Sequence, residues 1–167
     1  VLNAAVFWKA SPKAAAAALA HELFHYKVWR SLRASGIDWM DMGGLEFERL
    51  AQGVGYRVFS ELGGEAGDDL ALPSGGGHYA AGLGRWLRGG VETDALRQHG
   101  YDSFLSLADL RGKDPADLAA ELGGAHTAES VAAQLDAAEA LRRAEVRREK
   151  VWMARHPLAS LMARLAR

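Results

Sequence analysis

The stretch SPKAAAAALAHELFHYKVWRSLR, residues 11–33, decides the fold of the first part of the chain. Ser11 is a favourable N-cap residue, and Pro12 suits the first helical position because its missing N–H would be unpaired there in any case. Apolar residues recur at helical spacing as far as Arg33, and Ala-Ser-Gly at 34–36 ends the pattern. The stretch therefore predicts one long helix that begins at Pro12 and ends near Arg33.

The rest of the chain is also typical of a mainly α fold, with at most a minimal sheet. Ala, Leu and Arg are abundant among the 167 residues, whereas β-branched residues are scarce. The clearest strand candidate is the apolar run Val1–Trp8. A second helix is predicted over Leu45–Leu62, because Gly63-Gly64 is a common helix-ending pair.

The C-terminal part is predicted to be helical as well. Asp114 and Thr127 are expected to start two helices, which end near Leu122 and Arg155. Shorter helices are predicted over Tyr79–Arg88, Asp94–Gln98 and Ser103–Leu110. We expect one domain over 1–167, with a core at 1–62, a Gly-rich loop and short helix at 63–90, and a helical part at 91–167. The start at Val1 without Met is typical of a processed chain or of a piece of a larger protein, such as a fusion to a delivery protein.

Composition excludes several classes of protein. There are 20 Lys and Arg against 21 Asp and Glu, whereas dedicated nucleic-acid binders carry a strong basic excess. No stretch approaches the roughly 20 uncharged apolar residues of a membrane span, and no signal-peptide layout is present. Zero cysteines exclude disulfides, thiol nucleophiles and Cys-ligated metals. The sequence leaves open a cytoplasmic or a secreted location.

The predicted first helix contains His21-Glu22-Leu23-Phe24-His25, the pattern H-E-x-x-H. Residues four apart on a helix share a face, so both imidazoles can reach one ion. At about 100° per residue, Glu22 lies beside that face, where a general base for a metal-activated water belongs. The alternative is a pair of structural histidines in the core, because the same face also carries Ala14 and Leu32.

The segment from Ala18 to Lys27 resembles the active-site helix of the zincin metallopeptidases, and the resemblance extends over about the first 62 residues. It implies a zinc ion held by His21 and His25, with Glu22 as general base. The metzincin subclass does not fit, because its longer motif needs Gly at 28 and His at 31, where this chain has Val28 and Ser31.

A resemblance to the gluzincins implies that the third ligand is a glutamate on the next helix. Glu48 is the leading candidate, because it projects beside the small residues Ala51 and Gly55. Glu61 also projects inward but lies at the frayed helix end. Glu46 is expected on a solvent-facing side. His78 is a fourth alternative.

An oxyanion donor would complete a hydrolytic site. His78 and Tyr79 follow Gly75–Gly77, and a Gly-rich loop could present them over a cleft; Tyr101 is another candidate. The simpler interpretation, which we favour, is a flexible linker with His78 on the surface.

These features together predict a zinc-dependent metallopeptidase acting on a protein or peptide. The small helical domain also resembles metallopeptidase toxin or effector domains of bacteria. The alternative is a helical protein-interaction module in which the H-E-x-x-H is structural or incidental. Metal content separates the metallopeptidase from a module with an incidental motif, because the metallopeptidase needs one tightly held zinc per chain.

Overall fold

The computed structural model describes residues 10–34, 44–65, 68 and 106–157 of the chain. Within these ranges the protein forms helices and no strand, which confirms the predicted mainly α fold. The helices are α1 (Pro12–Arg33), α2 (Gly44–Glu61), α3 (Leu107–Arg111), α4 (Pro115–Leu122) and α5 (Ala128–Arg155). The predicted strand Val1–Trp8 and the predicted helices over 79–88 and 94–98 lie outside the described residues. No helix in the described part is long and apolar enough to cross a membrane.

Helix α1 begins as its sequence predicts. The hydroxyl of Ser11 accepts a hydrogen bond from the backbone N–H of Ala14 at 3.1 Å, which caps the helix. The same hydroxyl donates to the carbonyl oxygen of Asp68 at 2.7 Å. Lys13 Nζ donates to the Asp68 carboxylate and to the Gly63 carbonyl, both at 2.9 Å. These bonds tie the start of α1 to the turn after α2.

Helix α2 differs from its predicted bounds by one residue at each end. It is followed by Gly63 at φ +65°, a left-handed conformation that favours glycine. The N–H of Gly64 then donates to the carbonyl of Phe59 at 2.9 Å and satisfies a carbonyl of the last helical turn. The apolar side of α2 is fully buried at Leu45, Phe47, Leu50, Ala51 and Phe59.

Helices α3 to α5 have side-chain caps. Ser106 and Asp109 form a reciprocal capping box at α3, which begins at Leu107 and therefore later than the predicted start at Ser103. Asp114 caps α4, with Pro115 in its first turn. The hydroxyl of Thr127 accepts from the N–H of Ser130 at 3.1 Å at the start of α5. The predicted starts of α4 and α5 are thus confirmed.

Two compact units share the chain, and their borders run through the helices. The first unit comprises Val1–Phe24, Ala51–Glu92 and Glu149–Arg167. Its described core includes buried apolar residues of α1, α2 and α5, namely Ala14, Ala17, Phe24, Tyr56, Phe59 and Trp152.

The second unit comprises His25–Leu50 and Thr93–Arg148. Its core takes side chains from all five helices: Val28, Leu32, Leu45, Phe47, Leu50, Leu107, Leu110, Leu118, Val131, Leu135 and Ala138. Arg111 and Asp136 add an exposed ion pair at 2.8 Å, which contributes little to stability.

Candidate metal centre

The two histidines of the H-E-x-x-H motif lie one turn apart on α1. The His21 side chain is buried, and His25 is mostly buried. Both occupy the apolar stripe of the helix, where Ala17 precedes them and Val28 and Leu32 follow as core residues. The 3.6-residue helical repeat therefore directs both imidazoles to the same buried side of α1.

Glu48 of α2 lies beside these histidines. Its carboxylate Oε2 is 2.9 Å from His25 Nε2, and the residue is only 4% exposed. One potential ligand atom from each of His21, His25 and Glu48 lies within 4.8 Å of the other two. Among the described residues, these three side chains make up the group of candidate metal ligands.

The donor set fits a zinc ion. Two imidazole nitrogens and one carboxylate oxygen are ligands that Zn²⁺ accepts at about 2.0–2.2 Å, and tetrahedral coordination at that distance separates neighbouring ligand atoms by roughly 3.4 Å. The 2.9 Å contact and the 4.8 Å outer limit bracket this separation. The buried Glu48 carboxylate already contacts His25 Nε2, and a divalent cation would further compensate its negative charge.

Glu22 is placed differently from the three candidate ligands. It follows His21 directly, but its side chain is exposed and it does not belong to the ligand group. A rotation of about 100° per residue sets it to one side of the histidine face. Glu22 is therefore open to a water molecule or a substrate next to the cluster.

Three glutamates of α2 are candidates for the third ligand: Glu46, Glu48 and Glu61. Only Glu48 lies with the histidines, whereas Glu46 and Glu61 make hydrogen bonds elsewhere. Glu61, at the end of α2, accepts a hydrogen bond from the indole Nε1 of Trp152. His78, Tyr79 and Tyr101 lie outside the described residues.

The expected solvent exposure of Glu46 is wrong. Glu46 is 9% exposed, and its carboxylate accepts a hydrogen bond from the backbone N–H of Leu107 at 2.8 Å. Burial raises the pKa of Glu46 above its ordinary value, although the Leu107 hydrogen bond and nearby Arg142 act in the opposite direction. The helical projection of α2 alone missed this role, because the partner lies 61 residues further along the chain.

Comparison with known protein families, curated proteins and solved structures finds no match for this chain. The functional conclusion therefore depends on the chemistry and geometry of the cluster formed by His21, His25 and Glu48.

Proposed function

We propose that this protein is a zinc-dependent metallopeptidase that hydrolyses a peptide bond, with Glu22 as general base. One observation carries the proposal: two imidazoles and a buried carboxylate converge on one point, with an exposed carboxylate next to them on the same helix. His21, His25 and Glu48 would hold the ion. The described residues offer three candidate ligands, and three protein ligands are typical of catalytic zinc, whereas structural zinc usually has four.

Bound Zn²⁺ would supply a Lewis acid and a coordination position for a water molecule. The exposed carboxylate of Glu22 would accept a proton from that water and later donate it to the leaving amine nitrogen. Glu48 contributes one negative charge, which offsets part of the charge of a divalent ion in a buried site. His21 and His25 must be neutral to act as ligands.

The oxyanion donor stays a prediction. His78, Tyr79 and Tyr101 are the candidates, and each has a polar side chain that can donate a hydrogen bond to developing negative charge. Substitution of each by an apolar residue of similar size is expected to lower kcat rather than zinc affinity.

A helical interaction module with a structural ion is the second candidate function. It is favoured by large apolar side chains on the solvent side of α1, because Leu19, Leu23 and Tyr26 are each more than 40% exposed. Exposed apolar residues grouped on one face often mark a contact surface. In that case the ion would hold α1 to α2 and would activate no water.

The experiment that separates the two functions compares Glu22→Gln with wild type. The full chain is loaded with one equivalent of Zn²⁺, and hydrolysis of a fluorogenic library of mixed peptides is measured together with bound zinc. Loss of a general base is expected to lower kcat by about 10²- to 10⁴-fold, with zinc content unchanged. Glu129→Gln is the matched control, because Glu129 is an exposed glutamate in the first turn of α5.

Three outcomes would overturn the metallopeptidase proposal. The first is a Glu22→Gln protein that hydrolyses peptides as fast as wild type. The second is a wild-type chain that holds one zinc and cleaves nothing in the library, which would favour the interaction module. The third is a chain that binds no zinc.

A further inference from the structure

A ridge of side chains continues along α1 from Glu22. Tyr26, Trp29 and Arg33 follow it at steps of four, three and four residues, so all four lie within about 60° of one another around the helix axis. This ridge is turned about 90° from the side that carries His21 and His25. It is therefore a continuous surface that starts at the proposed general base.

Trp29 contacts both Tyr26 and Arg33; it is partly buried, whereas Tyr26 and Arg33 are exposed. Tyr26 is 55% exposed, and its ring centroid is 5.8 Å from that of Trp29 in a tilted arrangement. The guanidinium carbon of Arg33 lies 4.8 Å from the Trp29 ring centroid, which is a cation–π contact. Tyr26 and Trp29 therefore form an aromatic surface, and the Arg33 cation lies at the end of it that is farther from Glu22.

Charge along α1 is asymmetric beyond Glu22. Lys27, Arg30 and Arg33 are all exposed, and no acidic residue follows Glu22 in the helix. Cations suit the C-terminal end of a helix in general, but Arg33 is the one that also lies over the Trp29 ring. A ligand that covers the ridge would therefore be favoured by an apolar side chain and by a negative charge at the Arg33 end.

The spacing of the ridge sets a register for an extended peptide. At 1.5 Å per residue, Arg33 lies about 16 Å along the axis from Glu22, and the aromatic pair lies about 6–10 Å from it. An extended strand rises about 3.3 Å per residue. The apolar residue then falls two or three positions from the cleaved bond, and the acidic group about five positions from it.

We propose that Tyr26, Trp29 and Arg33 form a substrate-specificity site that selects peptides with an apolar residue and, about two or three positions further from the cleaved bond, a carboxylate. The register relative to the cleaved bond rests on the proposed metallopeptidase function. Affinity for the peptide depends on the ridge alone. Peptide preference is therefore tested by binding, and the register relative to the cleaved bond by hydrolysis.

The binding test uses the zinc-loaded full chain carrying Glu22→Gln and alanine-based peptides labelled with fluorescein. One peptide carries a phenylalanine and a glutamate three positions apart, and its partner has lysine in place of the glutamate. Fluorescence anisotropy is expected to show about fivefold tighter binding of the glutamate peptide, the upper end for an exposed ion pair. Adding Arg33→Glu is expected to reverse this preference. Adding Tyr26→Ala is expected to weaken the binding of both peptides.

The matched control is Lys27→Glu, which makes the same change in net charge on the same helix but about 120° away from Arg33. It is expected to keep the preference for the glutamate peptide. Equal effects of Arg33→Glu and Lys27→Glu would overturn the specificity site. Lipid vesicles with phosphatidylglycerol serve as a second probe. If the chain binds them but neither peptide, the basic face recognises an anionic membrane and the proposal fails.

Hydrolysis of the same peptides by the chain with Glu22 intact separates the two proposals. Cleavage without preference between the glutamate and lysine peptides would refute the specificity site and leave the metallopeptidase standing. Arg33-dependent binding without any cleavage would refute the metallopeptidase and leave a peptide-binding surface.

Discussion

Glu46 lies only two positions from the candidate ligand Glu48, but its contacts indicate a structural role. Replacement of Glu46 tests that role. In Glu46→Ala the buried N–H of Leu107 loses its acceptor. An unsatisfied buried donor costs about 1–3 kcal/mol. At the midpoint of this range, about 2 kcal/mol, the melting temperature of a chain of this size would fall by roughly 4–8 °C. Glu46→Gln keeps a side-chain oxygen that can accept the bond, so it is expected to avoid this loss.

The pH dependence of the same pair of proteins gives a second check. The pKa of Glu46 is raised in the folded protein, chiefly by burial. Its contribution to stability is therefore present in full below the ordinary pKa of a glutamate and is lost as pH rises through the raised value. Wild type should lose stability relative to Glu46→Gln as pH rises from 4 to 7. The difference between the two proteins removes the effects of other titrating groups, such as Glu139, whose pKa is lowered chiefly by its hydrogen bond from Arg142.

Urea unfolding followed by circular dichroism at 222 nm measures the free energy of unfolding, and with it the loss in Glu46→Ala and the pH dependence of the difference between wild type and Glu46→Gln. A stabilising hydrogen bond from the Leu107 N–H to Glu46 would be refuted if Glu46→Ala were as stable as Glu46→Gln at pH 7. A stability difference between wild type and Glu46→Gln that stays flat between pH 4 and 7 would refute a raised pKa.

Two further predictions concern local backbone geometry. Ser106→Ala removes the capping box with Asp109 and is expected to lower the free energy of unfolding by about 1 kcal/mol in urea titrations, whereas an unchanged midpoint would show that the cap contributes nothing. Gly64→Ala would place a Cβ 2.5 Å from the Phe59 ring and is expected to cost about 1–3 kcal/mol. Gly112→Ala, where the nearest atom would be 3.4 Å away, is its control and should be nearly neutral, so equal losses would contradict the reasoning.

Local chemistry was enough to predict most helix boundaries. Caps such as Ser11, Asp114 and Thr127 act within three or four residues, so their effect can be predicted without knowledge of the fold. The start of α3 was predicted too early. The serine–aspartate capping box at Ser106 and Asp109 was present in the sequence and was a better start signal than Ser103.

The candidate site could be predicted in part for the same reason. His21 and His25 share a face because of helix geometry alone, and projection of α2 placed Glu48 next to small residues that permit close approach. The burial of Glu46 could not be predicted in this way, because it depends on the N-terminus of α3. The aromatic contact between Tyr26 and Trp29 was likewise missed, although a three-residue spacing on a helix brings side chains together.

Zinc titration of wild type, Glu48→Gln and Glu46→Gln, followed by calorimetry at pH 7.5, tests the central claim most directly. We expect wild type and Glu46→Gln to bind one ion per chain with equal affinity. Glu48→Gln should bind more than about 100-fold more weakly, since even loss of an outer partner of a ligand costs about 10- to 100-fold. Equal zinc affinity for all three proteins, or no binding by wild type, would contradict the three-ligand site.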